Sequence, residues 1–334
     1  MSAPSVFIVG AGICCSVGHS AEAASASIRA NVDHFRETWF VDRDHKPLPG
    51  AMLWEVELWG PARLTFMLEN VLNEALAEAG EFPANETALI LLRPEAGEPA
   101  WAEPALAECG RQWGFHESSR IIEGGRAAVA PGFLAARELL SAGRVERAIL
   151  AGADSCLTSR AVNRLLARNL ILDSETADGL IPGEGAGAVV LSLTGGRGVG
   201  LRGAGFSLEE AHINQEEKPN RAEGLTRAVR AAVAESGRPL SQHNFEISDL
   251  SGPDYYTSEA AIALMRVFDQ VVPEFPHLQP ASSLGETGSA IGPIILAYLT
   301  RFFAAEAEEY GRRALAHFSS DGGLRGALTL EYQD

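Results

Sequence analysis

Four cysteines in 334 residues, Cys14, Cys15, Cys109 and Cys156, are too few and too irregularly spaced for a disulfide scaffold or a zinc site. Adjacent Cys14 and Cys15 suit neither a bridge nor a shared ion, so reduced, mostly buried thiols in a cytoplasmic protein are expected. No metal and no cofactor are expected either. The N-terminal Met1-Ser-Ala-Pro4 lacks the basic stretch of a signal peptide, and no apolar run looks long enough to span a bilayer. Basic residues are also scarce: 27 Lys and Arg against 44 Asp and Glu leave a net charge of −17. A surface that acidic repels phosphate backbones and anionic lipids, so neither nucleic acid nor a membrane is an expected partner.

What is present is the material of an ordinary core. Hydrophobic residues make up 46% of the chain and charged residues 21%, enough apolar mass to fold without staples. Short continuous apolar runs, Val6–Val9, Ala88–Leu92, Ala148–Leu150 and Ala186–Leu191, read as strands covered on both faces. Helical patterns lie between them, over Glu22–Ala30, Arg63–Ala79, Gly132–Ala142 and Ser159–Asn169. The rhythm continues with strands at Val199–Ser207, Ile247–Leu250, Ala314–Phe318 and Gly326–Tyr332. Helices are predicted at Gly224–Glu235, Ser258–Val271 and Ala290–Glu309. Alternation of this kind defines an α/β protein. Gly195-Gly196-Arg197-Gly198 is the candidate hinge between two halves, 1–195 and 196–334, which share an order of elements without a visible sequence repeat. The Pro-rich stretches 40–61 and 94–104 read as surface loops or a small cap.

Gly10-Ala-Gly12 follows the first run but lacks the third glycine of a dinucleotide fingerprint, so it reads as a tight strand-to-helix turn. Four further segments are more specific in combination: Ala151-Gly-Ala-Asp-Ser155, Ile181-Pro-Gly-Glu-Gly-Ala-Gly-Ala188, Gly285-Glu-Thr-Gly-Ser-Ala-Ile-Gly292 and Ser319-Ser-Asp-Gly-Gly-Leu-Arg-Gly-Ala327. In this order they resemble the glycine-rich turns of the β-ketoacyl synthases of the thiolase-like superfamily, and Val6–Gly12 resembles that family's first strand and turn. The resemblance runs over nearly the whole chain, which is shorter than an elongating synthase. It implies a thiolase-like, five-layered αβαβα fold of two similar halves, each with a mixed, mostly parallel sheet, and a homodimer.

That family's chemistry needs a thiolate at a helix N-terminus, two imidazoles and a supporting lysine. By position, the cysteine falls on Arg126, which stays protonated and cannot attack a thioester, and none of the four cysteines is expected near this slot. Pro131 and Gly132 predict a helix that begins late. The first histidine falls within Leu250–Tyr256, where there is none, the second on Glu286 and the lysine on Ala281. Asp321, beside Ser320, stands where a gating phenylalanine would be. Arg126 is therefore expected to pair with Glu286, Asp321 or both, with Asp254 and Tyr255 as further pocket candidates. Glu184 reads as structural, tying neighbouring backbone N–H groups. His116, His212, His243, His277 and His317 match none of the family's positions, and most of them read as surface or strand-end residues. Arg144/Arg147, Arg160/Arg164/Arg168 and Arg312/Arg313 read as solvated helix faces. Without a basic patch among them, an acidic acyl carrier protein is a disfavoured partner.

Three functions remain open. One is an inactive binding, scaffold or adaptor protein; similar short ketosynthase-like proteins sit in gene neighbourhoods of bacterial type VI secretion effectors. The second is a partner subunit similar to the chain-length factors that accompany an active ketosynthase. The third is an acyl-thioester enzyme with altered chemistry based on Glu286 or Asp321.

Overall fold

The computed structural model describes residues 5–80, 83–95 and 101–334. Met1–Pro4 and the centre of the 94–104 loop, residues 96–100, lie outside the described residues. Strand β1 (Val6–Cys15) leads to α1 (Ala21–Arg29), a hairpin of β2 (Arg36–Val41) and β3 (Pro47–Gly50), and α2 (Gly60–Ala79). Then follow β4 (Thr87–Arg93), α3 (Ala102–Trp113), β5 (Arg120–Glu123), α4 (Val129–Ser141), β6 (Arg147–Ser155), α5 (Ser159–Ala167) and β7 (Glu184–Ser192). The chain continues through β8 (Gly198–Leu208), α6 (Glu223–Ser236), β9 (Phe245–Ser248), α7 (Asp254–Val267), β10 (His277–Leu278) and α8 (Ala281–Leu284). It ends with α9 (Ile291–Tyr310), β11 (Arg313–Ser319) and β12 (Leu324–Gln333).

Among the described residues, ten of the twelve strands form two runs of five with the same plan, and β2 and β3 pair separately. In the first, β1-β7-β6-β4-β5, β7 is antiparallel to both neighbours and β4 parallel to both; in the second, β8-β12-β11-β9-β10, β12 and β9 do the same. Hydrogen bonds join the runs into one ten-stranded sheet through a short contact of β1 with β8, Val6 to Leu201 and Phe7 to Gly200. Residues of α2 and α3 pack on one face of the first run, and residues of α6 and α7 on one face of the second. The largest core lies between the runs and includes α4 and α9. Helix, sheet, helix, sheet, helix is the resulting order, the thiolase-like arrangement. The continuous apolar runs report this two-sided cover rather than strand direction: β7 is antiparallel to its neighbours yet buried at every position.

Several expectations need correction. Gly10 and Gly12 make no turn, because β1 runs on to Cys15. A Cβ on Gly10 would lie 2.1 Å from the Ala75 carbonyl oxygen, and one on Gly12 would lie 2.4 Å from that of Val71, so these glycines let α2 lie against the strand. The expected late start of the 132–142 helix is also displaced. A 3₁₀ turn over Gly125–Ala128 runs straight into α4, and Pro131 falls in that helix's first turn, where its missing N–H is tolerated. Helix α7 begins four residues before the expected Ser258, after Pro253 and with Asp254 in its first turn, where an acid suits the helix dipole. Residues 102–104 of the expected loop are the first turn of α3. One helix, Gly288–Tyr310, does reach the length and hydropathy of a membrane span, but 72% of that window is buried in the core.

Candidate functional site

Gly124 and Gly125 take positive φ values, 150° and 63°, and this left-handed entry admits the 3₁₀ turn that carries Arg126 to the head of α4. Ser320, in the β11–β12 turn, fastens the same segment: its Oγ accepts from the Ala127 N–H at 2.9 Å and donates to the Gly124 carbonyl at 2.6 Å. Arg126 is 6% exposed. Its Nη1 donates to Glu286 Oε2 at 2.7 Å, its Nη2 to Asp321 Oδ1 at 3.0 Å, and its Nε lies 3.5 Å from Asp249 Oδ2. The guanidinium carbon stands 4.5 Å from the centre of the Tyr256 ring, whose hydroxyl donates to Asp321. Glu286 lies at the head of α9, where its other oxygen accepts from the Gly288 N–H at 2.8 Å, and Ser251 Oγ donates to Oε2 at 2.7 Å.

A planar fork facing several carboxylates is the geometry in which a buried arginine keeps its charge. Burial disfavours the cation, but Glu286, Tyr256, Asp249 and Asp321 outweigh it and hold Arg126 well above the ordinary guanidinium range. Burial likewise opposes the Asp321 carboxylate, yet Arg126, Tyr256 and Arg168 (Nη1 to Oδ2, 2.7 Å) bring it down to about 2. The neighbours behave oppositely. Burial pushes Asp249 up to about 6 against the pull of Arg126, and Asp249 Oδ1 has no hydrogen-bond partner among the described residues. Burial pushes Asp154 to about 6 as well, although it accepts from the N–H groups of Ser155 and Ser289, each at 2.8 Å.

Arg126, Glu286, Ser320 and Asp321 line one cavity of about 240 Å³, with Asp154, Leu165 of α5 and Arg168 just past the end of that helix also in its wall. Two expected members are elsewhere. Asp254 is exposed at the start of α7, and the Tyr255 hydroxyl turns away to the Ala211 carbonyl at 2.5 Å. Because helix α7 begins early, the ring over Arg126 is that of Tyr256. Ala281 is buried at the start of α8 and lines a different depression with Leu250 and Ser251. The solvated reading of the Arg160/Arg164/Arg168 face is corrected too, since Arg164 and Arg168 line the cavity. So is the distance of the cysteines. Cys156 forms part of the wall, although 30 residues of sequence hide this. Burial first, and Glu286 and Asp154 next, hold its thiol well above the ordinary range. Burial also pushes Cys15 and Cys109 to about 12. None of the five histidines named above lines the cavity. Glu184 is structural: buried, it accepts from the Leu53 N–H at 2.9 Å and pairs with Arg63.

Two five-stranded runs of one plan, with the heads of their central helices meeting at a shared cavity, define a protein of the thiolase-like fold. Solved ketosynthase structures superpose on it end to end. A type II polyketide synthase acyl-carrier protein in complex with its ketosynthase matches with a TM-score of 0.85 at 14% identity, covering 99% of this chain and 100% of that one. The ishigamide ketosynthase/chain length factor matches with a TM-score of 0.74 at 16% identity, and a β-ketoacyl synthase from Burkholderia phymatum STM815 with 0.77 at 16%, both covering 99% of this chain and 100% of theirs. At such identities the likeness is one of fold. No family model and no curated protein sequence matches the chain.

Proposed function

We propose that this protein is a ketosynthase-fold binding protein that performs no condensation and works through a protein partner. One observation carries the reading: the head of the central helix holds a buried guanidinium locked to Glu286 and Asp321, where acyl transfer would need a nucleophile. A guanidinium offers no lone pair to a thioester. The thiol across the cavity, Cys156, is held protonated. The two carboxylates considered as a general base, Glu286 and Asp321, are engaged with Arg126, so the third function considered above, altered thioester chemistry, has the least support.

The choice of partner rests on similarity. The solved structures that resemble the chain include ketosynthases with a carrier protein or a chain length factor, which supports a role as the non-condensing subunit beside an active ketosynthase. A cytoplasmic homodimer acting as adaptor to a type VI secretion effector is the competing form of the same proposal.

Affinity capture of the full chain from its native host, read by mass spectrometry, separates the two. A stoichiometric ketosynthase supports the partner-subunit form, and a homodimer carrying a secretion protein supports the adaptor form. Incubation with acetyl- and malonyl-thioesters tests the shared premise, and no release of free thiol above background is expected. Turnover that disappears in Glu286→Gln would overturn it.

A further inference from the structure

Away from the cavity, three adjacent strands of the second run bring together Glu246, His277 and His317, from β9, β10 and β11. Glu246 and His277 are direct partners across the β9–β10 pair, and His317 lies beside Ser248, two residues along β9. Alternation along a strand puts all of them on one face. One donor atom from each of the three lies within 4.8 Å of the other two. His317 Nε2 is 3.0 Å from Glu246 Oε2, and His277 Nδ1 is 3.6 Å from Glu246 Oε1.

We propose that Glu246, His277 and His317 form a binding site for a divalent transition-metal ion, Zn²⁺ in the first place. Ligands placed about 2.0–2.1 Å from a tetrahedral ion stand roughly 3.3 Å apart; the His317 and His277 nitrogens lie 3.0 Å and 3.6 Å from the two different oxygens of Glu246, one on either side of that figure. Two imidazoles and one carboxylate suit Zn²⁺ and its first-row neighbours, not Ca²⁺ or Mg²⁺. The ligand next door completes the case. Ser248 Oγ lies 2.6 Å from His277 Nε2; in the tautomer with its proton on Nε2 the ring donates there and leaves the Nδ1 lone pair for an ion beside Glu246. A serine on the far nitrogen is the outer partner that fixes a metal-binding imidazole. The Gln279 amide nitrogen lies 3.1 Å from the same Nδ1.

Access decides the coordination number. Glu246 and His317 are buried, whereas His277 opens on a groove of about 590 Å³ between α1, α9 and the β10 edge, lined by Arg29, Asn31 and Glu306. An ion enters from that side and keeps its fourth position there for water or a ligand carboxylate. It also pins β10, which pairs with β9 through two residues only. Cysteine and histidine spacing cannot reveal such a site, because each ligand comes from a different strand. The proposal does not depend on the function proposed above.

Titration of ZnCl₂ into the chelator-treated full chain tests it by calorimetry, with Co²⁺ absorption as a check on ligand type. One ion per chain with a nitrogen and oxygen ligand spectrum is expected. His277→Ala, at a partly exposed position, is expected to weaken binding more than tenfold while melting at the wild-type temperature without metal. Ser248→Ala is expected to weaken binding about 10- to 100-fold. Zn²⁺ is expected to raise the melting temperature of the wild type and not that of His277→Ala. No binding by the wild type, a thiolate-type Co²⁺ spectrum, or unchanged affinity in His277→Ala would each overturn the assignment.

Discussion

The first five-strand run and the second share a plan and differ in what joins their last antiparallel pair. Strands β6 and β7 are separated by residues 156–183, which include α5, whereas β11 and β12 are joined by the four residues Ser320–Gly323. The helices α4 and α9 occupy matching places, each before the central strand of its run, and opposite charges stand at their heads: Arg126 at one, Glu286 at the other. The long connection brings Arg164 and Arg168 to the cavity, and the short one brings Ser320 and Asp321. The scaffold repeats, and the site arises where the repetition fails. Each run also has a buried Arg–Glu pair built from different elements, Arg63–Glu184 in the first and Arg325–Glu259 in the second.

Those pairs give the largest effects by which the comparison can be broken. Removing one member strands a buried charge, at about 3–5 kcal/mol. Arg325→Ala and Arg63→Ala are expected to lose similar stability in urea unfolding, and each to unfold in one transition. The single transition follows from how the runs interlock. A Cβ on Gly187 of β7 would meet the Ile294 nitrogen of α9 at 2.4 Å, and one on Gly326 of β12 would meet the Ala127 carbonyl oxygen at 3.0 Å. Two separate transitions would show the runs to be independent and the comparison too strong.

The pH dependence sharpens the account of the site. Asp154 and Asp249 have folded values near 6, above the carboxylate norm, so the folded protein holds more protons than the unfolded chain between about pH 4 and 6. The stability they contribute is complete below about pH 4 and lost as pH rises through 6, up to about 3 kcal/mol for each. Asp321 works in the other sense: held near 2, it contributes above about pH 4 and loses its contribution as pH falls towards 2. The combined contribution of these three groups is therefore expected to be largest near pH 4, and Asp154→Asn to flatten its decline between pH 4 and 6. An unchanged slope in that variant would remove Asp154 from the explanation.

Much of this was legible in the residues. The alternation of apolar runs gave the α/β class, and the framing glycines of Gly285–Gly292 placed Glu286 at a helix head opposite Arg126. The losses have physical causes. Tyr256 and Tyr255 are adjacent, and only the true start of α7 decides which ring faces inward. Asp249 and Asp154 lie at strand ends whose neighbours come from distant segments, so no local spacing marks them. The arginines of α5 read as a solvated face because helical spacing shows which residues share a side, not what that side meets.

The smallest effects test the repetition itself. No repeat was evident in the sequence, yet one tripeptide recurs at matching places: Gly10-Ala11-Gly12 in β1 and Gly203-Ala204-Gly205 in β8, the equivalent strand of the second run. In β1 the glycines admit the carbonyls of Ala75 and Val71 of α2. In β8 a Cβ on Gly203 would lie 2.1 Å from the Ala232 carbonyl oxygen, and one on Gly205 would lie 2.2 Å from that of Ala228, both in α6. Neither pair serves a turn, for none of the four takes a positive φ. Both let a helix backbone touch a strand backbone. Gly10→Ala and Gly205→Ala are each expected to cost about 1–3 kcal/mol, the ordinary penalty of overpacking, with little change at the distant cavity. Denaturation midpoints of the two variants check this. A loss in one run and none in the other would mean that the shared tripeptide is coincidence, and that only one of the helices needs its glycines.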